Sequence, residues 1–117
     1  QLLRLEPTAD GGFVMPFHED VVGRPGYLHG GAIAGLLEFA AFATLRAALG
    51  EVEAVLKPVT VTVDYLRGAG ASRGATHAAA VIERLGNRIA NVEATAWQTD
   101  RSRPVASAHI TFLVERQ

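Results

Sequence analysis

A single carboxylate, that of Glu38, lies inside the most apolar stretch of this 117-residue sequence. Alanine, leucine and phenylalanine dominate between Gly30 and Gly50, which predicts one long helix that stops at Gly50. Burying a carboxylate costs free energy unless the group is partnered or protonated. The same burial brings an acid into the range where it exchanges protons near neutral pH. Glu38 is therefore a candidate nucleophile or general base; a solvated position or an arginine partner is the alternative.

Two consecutive glycines, Gly30 and Gly31, open the same predicted helix directly after His29. Glycine is a poor helix former, so the pair indicates a close approach of a ligand to the backbone. The first amides of a helix have no acceptor within it, and the helix dipole adds positive partial charge there. Such an end suits a carbonyl oxygen that becomes an oxyanion during a reaction. A simple turn before a helix is the alternative.

The spacing of these two features predicts how they cooperate. Gly30 and Glu38 are eight residues apart, which is about 12 Å along a helix axis, too far to act on one atom. If two copies of the helix pack antiparallel across a two-fold axis, Gly30 of one copy meets the partner's Glu38. The sequence thus predicts a homodimer with two identical sites, each shared between subunits.

The elements around the helix are predicted to be strands. An N-terminal strand or extended arm is expected at Gly12–Phe17, followed by a turn-rich loop, His18–Leu28. After Gly50, period-two alternation and β-branched residues predict four strands joined by turns, which would form an antiparallel meander. These four are Val59–Leu66, Thr76–Leu85, Arg88–Thr99 and Val105–Glu115.

Small side chains at alternate strand positions indicate how the elements pack. The alanines concerned are Ala78, Ala80, Ala90, Ala94, Ala96, Ala106 and Ala108. A face of small residues admits a bulky element, and a helix that is apolar on nearly every side must be buried on nearly every side. We therefore expect a single α+β domain over residues 1–117, a curved antiparallel sheet wrapped around one central helix. A second subunit would cover the rest of the helix.

The composition argues against several classes of protein. The net charge is -1 and no basic block is present, so neither nucleic acid nor a membrane surface is an expected partner. Cysteine is absent, and the four histidines lack the spacing of metal ligands, so we expect no metal. The apolar stretch 30–45 is too short for a membrane span, and no signal peptide is visible. The first residue is Gln1, which leaves an upstream segment open.

These residues resemble a known family. The stretch YLHGGAIAGLLE, with an acid nine positions after the histidine, is similar to hot-dog-fold acyl-CoA thioesterases of the PaaI-like and 4-hydroxybenzoyl-CoA thioesterase type. VTVDYLRGA and GNRIANVEATAWQ resemble the strand after the family's helix and its next hairpin. The resemblance runs from about Gly23 to the end. It implies a hot-dog fold, a cytoplasmic homodimer or homotetramer, and an acyl-CoA substrate with no further cofactor.

The resemblance also implies roles for individual residues. The Gly30 amide would polarise the thioester carbonyl, and the partner's Glu38 would act as nucleophile or general base. His29 would mainly shape the start of the helix, with Gly31 beside the substrate.

Coenzyme A needs cationic partners for its phosphates. Arg67, Arg73 and Arg88 are the candidates, with solvated surface positions as the alternative for each.

The chain departs from the family pattern where auxiliary polar groups are usual. Gly23 replaces an asparagine or glutamine, and Ala41, Phe42 and Pro58 stand where some members have serine or threonine. Two further functions therefore stay open. One is a hydratase or dehydratase of enoyl or hydroxyacyl thioesters, and the other is a non-catalytic acyl-CoA binding module. The acyl group is not identified by the sequence.

Overall fold

The computed structural model describes residues 3–9, 11–16, 21, 29–70 and 73–117. These residues form one long helix and one six-stranded antiparallel sheet. The helix is α1 (Gly30–Leu49), and the strands are β1 (Glu6–Pro7), β2 (Phe13–Met15), β3 (Ala54–Tyr65), β4 (Thr76–Leu85), β5 (Ile89–Trp97) and β6 (Ala106–Arg116). The strand order is β1-β2-β4-β5-β6-β3. The predicted loop 18–28, including Gly23, lies outside the described residues except for Val21.

The predicted helix and long strands are all present, but the predicted four-strand meander is wrong. β4, β5 and β6 are consecutive antiparallel neighbours, whereas β3 pairs with β6 at the far side of the sheet. The chain between β3 and β4 therefore passes over two strands. A tight hairpin turn has two to five residues, and the ten positions between Tyr65 and Thr76 are long enough for this crossover.

β3 begins at Ala54, five residues before the predicted start at Val59. The prediction began after Pro58 because proline lacks the N–H that a strand ladder needs. Proline is tolerated in edge strands and at bulges. Both conditions hold here, since β3 is the last strand of the sheet and its register with β6 shifts between Pro58 and Thr60.

The sheet carries α1 on its alanine-lined face, as the alternation of small residues predicts. Ala90, Ala94, Ala96 and Ala108 are fully buried, and the helix packs mainly against β4 and β5. The buried helix positions are Ala32, Ile33, Leu36, Leu37, Ala40, Ala41, Leu45 and Leu49. Small residues under the helix allow its axis to come close to the sheet, and close packing maximises the dispersion contacts of the leucines.

The C-terminus of α1 is fixed by a glycine and an arginine. Gly50 has a positive φ of 58°, which glycine adopts without strain, and its N–H donates to Ala47 O. The Arg46 guanidinium donates to Ala54 O at 3.1 Å and also to Val52 O. These bonds tie the end of the helix to the start of β3.

Two surfaces of the protomer are apolar and uncovered. Phe39 and Phe42 of α1 are 37% and 41% exposed, and Val59 and Val61 of edge strand β3 are also exposed. Because the helix extends to Leu49, it is long and apolar enough to cross a membrane by length and composition alone, contrary to the expectation for 30–45. Core helices of globular proteins meet the same criteria, and the buried side of α1 packs against the sheet.

Candidate active site

The N-terminus of α1 is organised by His29. This residue has extended backbone angles, φ -77° and ψ 149°, and its Nδ1 accepts a hydrogen bond from Ala32 N at 2.8 Å. Because Nδ1 is the acceptor, a neutral His29 carries its proton on Nε2. The His29 N–H donates to Val21 O at 2.8 Å, which fixes the residue to the preceding chain. His29 is therefore the N-cap of the helix.

Two amides at the start of the helix have no acceptor among the residues that the structure describes. His29 satisfies the N–H groups of Ala32 and Ile33, and no other described residue accepts a hydrogen bond from Gly30 or Gly31. These two N–H groups lie at the positive end of the helix dipole. They form a donor pair for an anionic or polarised oxygen.

Tyr65 adjoins this donor pair and was not predicted as a site residue. Its hydroxyl donates to Gly30 O at 2.9 Å, which links the end of β3 to the first turn of α1. A Cβ atom on Gly30 would lie 3.2 Å from the Tyr65 hydroxyl oxygen, and one on Gly31 would lie 3.3 Å from His29 Nδ1. Glycine at both positions therefore matches the close packing of these two side chains.

Glu38 lies near the middle of α1 and is half-buried. Its carboxylate has no hydrogen bond or ion pair with any residue in the described part of the chain. Phe39 and Phe42, which are beside it on the helix, are partly exposed, and Phe39 packs edge-on against Phe13 with ring centroids 5.0 Å apart. Within the described part of the chain, Glu38 is thus a carboxylate without a partner, beside partly exposed aromatic side chains.

Gly30 and Glu38 belong to the same straight element, so one protomer cannot bring them together. Their eight-residue separation corresponds to about 12 Å along α1. The geometry leaves the donor pair and the acid as two separate half-sites on each chain.

Two of the three predicted phosphate-binding arginines lie in one cavity. Arg67 and Arg73 line a cavity of about 460 Å³, together with Arg103, Gln98 and other residues at the ends of β3, β5 and β6. Among the described residues, no carboxylate forms an ion pair with these three guanidinium groups. The cavity therefore carries a concentration of positive charge.

The third predicted arginine, Arg88, lies elsewhere. It lines a separate groove with Asn87 and residues 113–116. Since Tyr65 pairs with Ala106 and Ala54 pairs with Arg116, this groove is at the opposite end of the sheet from the cavity. Arg88 and Arg67 therefore do not bind the same phosphate within one protomer.

Among the described residues that line the cavity there is one acid, Asp100, and it is hydrogen-bonded to its own turn. The Ser102 hydroxyl and amide both donate to its Oδ1, at 2.7 and 2.9 Å. These hydrogen bonds, with the nearby charge of Arg103, hold the pKa of the Asp100 carboxyl below its ordinary value. Asp100 is ionised at neutral pH, so the cavity lining carries three positive charges and one negative charge.

Outside this region, the described residues contain one group of potential metal ligands. His109 lies between Glu83 and Glu93, with nitrogen-to-oxygen distances of 3.5 and 3.4 Å. All three side chains are substantially exposed and belong to the face of the sheet away from α1. Such exposed contacts between a histidine and two carboxylates are common on protein surfaces and contribute little to stability.

Sequence reasoning missed Tyr65, Arg103 and Gln98. Gln98 had a detectable signal, since it continues the inward-facing positions Ala94 and Ala96 of β5 and is therefore a polar residue at a core position. Tyr65 and Arg103 had no such signal in the sequence. The position of Tyr65 depends on the crossover after β3, and that of Arg103 depends on the turn before β6.

One long helix packed against a face of a six-stranded antiparallel sheet, in the order β1-β2-β4-β5-β6-β3, is the architecture of a hot-dog fold. The profile of the thioesterase superfamily matches residues 25–113. The chain belongs to this superfamily, and thioester hydrolysis is the general chemistry that the assignment supports.

Solved structures agree with the fold. A Haemophilus influenzae thioesterase aligns with a TM-score of 0.85 and 22% identity, over 98% of this chain and 80% of that chain. A Bacillus halodurans protein crystallised with CoA aligns with a TM-score of 0.81 and 22% identity, over 98% of this chain and 75% of that chain. A Chromobacterium violaceum protein aligns with a TM-score of 0.72 and 35% identity, over 93% of this chain and 75% of that chain. A search of curated proteins found no significant match.

Proposed function

We propose that the protein is an acyl-CoA thioesterase of the PaaI-like and 4-hydroxybenzoyl-CoA thioesterase type. It hydrolyses a thioester to a free acid and CoA at two sites shared between the subunits of a homodimer. The observation that carries the proposal is the pair of amides at Gly30 and Gly31 that have no acceptor among the described residues, with a carboxylate on the same helix that has no partner in that part of the chain. Acyl-CoA as the substrate fits the CoA bound by the Bacillus halodurans protein. The proposed location is the cytoplasm.

The reaction needs an oxyanion site and a base. The thioester carbonyl oxygen accepts a hydrogen bond from the Gly30 N–H, so the negative charge that develops on it is stabilised. The partner's Glu38 takes a proton from water as the water oxygen bonds to the carbonyl carbon. The C–S bond then breaks, and the departing thiolate receives that proton. In the alternative nucleophilic mechanism, Glu38 attacks the carbonyl carbon directly and the C–S bond breaks to give an anhydride and a thiolate. Water then hydrolyses the anhydride, and a proton from that water passes to the thiolate.

The dimer is supported by the uncovered surfaces. Phe39 and Phe42 flank Glu38, so a helix packed there would bury apolar area around the acid. Edge strand β3 has no neighbour on its outer side among the described strands, and its exposed valines offer a second contact area. A two-fold axis that pairs two copies of α1 antiparallel would complete both sites, and a homotetramer would be a pair of such dimers.

The decisive variant is Glu38→Gln, which keeps the shape of the side chain and removes the base. We expect the turnover number for acyl-CoA hydrolysis to fall by about 10²–10⁴-fold. The melting temperature should not fall, because a partly buried charge is removed. Thiol release with a panel of acyl-CoA substrates measures the rate. A rate equal to that of the wild type would remove Glu38 from the mechanism. Release of CoA also separates hydrolysis from hydration and from simple binding.

Gly30→Pro tests the amide, because proline has no N–H and is favoured at the first position of a helix. The extended angles of His29 are those that a residue before proline prefers. We expect a loss of turnover with the helical content retained. Gly30→Ala also adds a Cβ atom 3.2 Å from the Tyr65 hydroxyl oxygen but keeps the N–H, so it should lose less turnover than Gly30→Pro. Equal losses in the two variants would assign the effect to the Tyr65 contact and not to the amide.

Mixing the two inactive variants tests the sharing of the sites. A mixed dimer of Glu38→Gln and Gly30→Pro has one intact site and one doubly defective site. After exchange of subunits, roughly a quarter of the wild-type activity should return, since half of the dimers are mixed and half of their sites are intact. No recovery, despite mixed dimers detected by native mass spectrometry, would show that each site uses a single chain.

Hydrolysis in ¹⁸O-labelled water separates the two roles of Glu38. In a single turnover, direct attack forms an anhydride, and attack of water on the Glu38 carbonyl of that anhydride leaves ¹⁸O in Glu38 and an unlabelled carboxylate oxygen in the product. General-base catalysis labels only the product, as does attack of water on the acyl carbonyl of the anhydride, so ¹⁸O in Glu38 identifies direct attack. Mass spectrometry of the peptide that contains Glu38 gives the answer.

A further inference from the structure

The N-terminal segment contacts the outward face of α1 through Leu3. A Cβ atom on Gly35 would lie 2.9 Å from Leu3 Cδ1, which is closer than carbon atoms of two side chains come in folded proteins. The contact in this form therefore requires a glycine at position 35. Leu3 and Leu5 are both partly buried and pack against the core, so the segment is anchored to the domain.

The backbone beside Leu3 has an uncommon conformation. Arg4 has a φ of 54°, and it is the one non-glycine residue with a positive φ in the part of the chain that the structure describes. A residue with a Cβ atom adopts this left-handed conformation at a cost in free energy. Such outliers are concentrated at positions that serve a function. Here the turn directs the chain from β1 to the surface of α1.

Gly35 lies between the two half-sites on α1. Residues three and four positions apart are neighbours on a helix surface, so Gly31, Gly35 and Glu38 follow one another along one face. None of the three is fully buried, and this face is therefore turned away from the sheet. Gly35 is about 6 Å from Gly31 along the helix axis, which is the rise of four residues. Leu3 thus lies one turn beyond the donor pair, on the side of the acid.

The direction in which an acyl group extends follows from the other end of the substrate. The Tyr65 hydroxyl binds Gly30 O, and Arg67, a predicted phosphate-binding residue two positions later, lines the cationic cavity. With the CoA part on that side of the first turn, the acyl group extends from the carbonyl carbon the other way, along α1. In that direction it meets Leu3 on Gly35.

We propose that Leu3 closes the acyl pocket and restricts the enzyme to thioesters of short acyl groups, which end within about one helical turn, 5.4 Å, of the carbonyl carbon. The inference rests on the proposed function for the reaction and adds the class of acyl group. Leu3 lies outside residues 25–113, the range that the family profile matches. The restriction is therefore assigned to the N-terminal segment of this chain.

The contact also fits the proposed dimer. When Gly30 of one copy meets the partner's Glu38, the two-fold axis passes beside Ala34, which is midway between these positions and next to Gly35. The Leu3 side chains of both copies then lie near the axis and keep the two helices apart. This gap leaves room for the thioester between the amide of one helix and the acid of the other.

A series of acyl-CoA substrates of increasing chain length tests the pocket. In the wild type, kcat/KM should be higher for butanoyl-CoA than for octanoyl-CoA. Leu3→Ala should raise kcat/KM for octanoyl-CoA relative to butanoyl-CoA by about tenfold or more, since additional methylene groups gain a binding pocket. Leu3→Phe should shift the ratio in the opposite direction. A wild type that prefers octanoyl-CoA, or an unchanged ratio in Leu3→Ala, overturns the proposal.

Leu5→Ala is the matched control, because it removes the same atoms from the same segment. No atom of Leu5 is within 4 Å of the Cβ position of Gly35. Both alanine variants should lower the melting temperature, but only Leu3→Ala should change the preference for chain length. The same change of preference in Leu5→Ala would assign it to a loosened segment and contradict the proposal. If Leu3→Ala fails to fold, Leu3→Phe decides.

Gly35→Ala tests the contact itself. The added methyl group displaces the end of the Leu3 side chain, so the preference for chain length should change in this variant. In the double variant Leu3→Ala/Gly35→Ala, the second substitution should add no further change, since the atom it displaces is already gone. Additive effects of the two substitutions would show that they act on different contacts and would contradict the assignment of Leu3.

Binding separates the pocket from the proposed reaction. The probes are butanoyl-CoA and octanoyl-CoA, titrated by calorimetry into Glu38→Gln with and without Leu3→Ala. Octanoyl-CoA should bind more weakly than butanoyl-CoA when Leu3 is present, and the difference should disappear when it is alanine. This result, with no hydrolysis of any thioester by the wild type, would retain the pocket and reject the thioesterase function. The same ratio of affinities with and without Leu3 would reject the pocket at any rate of hydrolysis.

Discussion

The two ends of the sheet use arginine in opposite ways. At the end that holds the C-terminus of α1, Arg46 donates to Ala54 O and Arg116 donates to Asn87 O at 3.1 Å, so these guanidinium groups join segments of backbone. At the end that holds the N-terminus, Arg67, Arg73 and Arg103 surround a cavity and form no ion pair with a described carboxylate. An arginine whose guanidinium is hydrogen-bonded to backbone carbonyls has a structural role. An arginine whose guanidinium has no such partner is a candidate binding residue, and its place in the sequence does not distinguish the two.

The variants Arg46→Gln and Arg67→Gln test most directly whether the arginines at the two ends of the sheet differ in role. Arg46 has carbonyl partners, so its loss should lower the free energy of unfolding by about 1–3 kcal/mol. The Arg67 variant should stay within about 0.5 kcal/mol of the wild type. Urea denaturation measures both. Equal destabilisation of the two variants would remove the distinction between the two ends.

Tyr65→Phe probes the link between the cavity end and the helix. Losing the bond from its hydroxyl to Gly30 O should cost about 0.5–1.5 kcal/mol of stability. Because that bond orients the first turn of α1, kcat should also fall by a few-fold.

Thr111→Val is the matched control for Tyr65→Phe, since it removes the 3.0 Å bond to Asn91 Oδ1 from the face of the sheet away from α1. It should change stability by a similar amount and leave kcat unaffected. Equal turnover in the two variants would exclude Tyr65 from the site.

Asp100→Asn gives the smallest expected effect. The folded state holds the pKa of Asp100 below its ordinary value through the bonds from Ser102. The resulting stabilisation is present above about pH 4, the ordinary range of aspartate, and is lost as the pH falls through the lowered pKa. The melting temperatures of variant and wild type should therefore differ slightly at pH 7 and converge in acid. A difference that grows below pH 4 would contradict this.

Local patterns predicted most of the fold. Alternation located Thr76–Leu85 to the residue, and Gly50 marked the end of the helix because its φ of 58° favours glycine. The pairing of β3 with β6 was missed because it depends on contacts across more than forty residues of chain. Periodicity within a strand carries no information on which neighbour the strand will have.

The candidate site, like the fold, was predicted in part from local sequence patterns. The glycine pair and Glu38 were recognisable because their residue types conflict with a buried helix, and such local conflicts are typical of functional positions. The cavity was only half predicted. Arg67 and Arg73 are close in sequence, whereas Arg103 joins them through the folding of β5 onto β6. Arg88 lines a separate groove, and its candidacy for phosphate binding stays a prediction.

Pro58 has a consequence for association through the open edge of the sheet. It contributes no amide hydrogen to any strand, and the adjacent bulge shifts the register of β3 between Pro58 and Thr60. A foreign strand cannot form an uninterrupted ladder along the whole edge, which hinders the repeated strand addition that produces fibrils. The six residues from Thr60 to Tyr65 still offer regular backbone. This edge therefore permits a short, self-limiting contact and resists open-ended polymerisation.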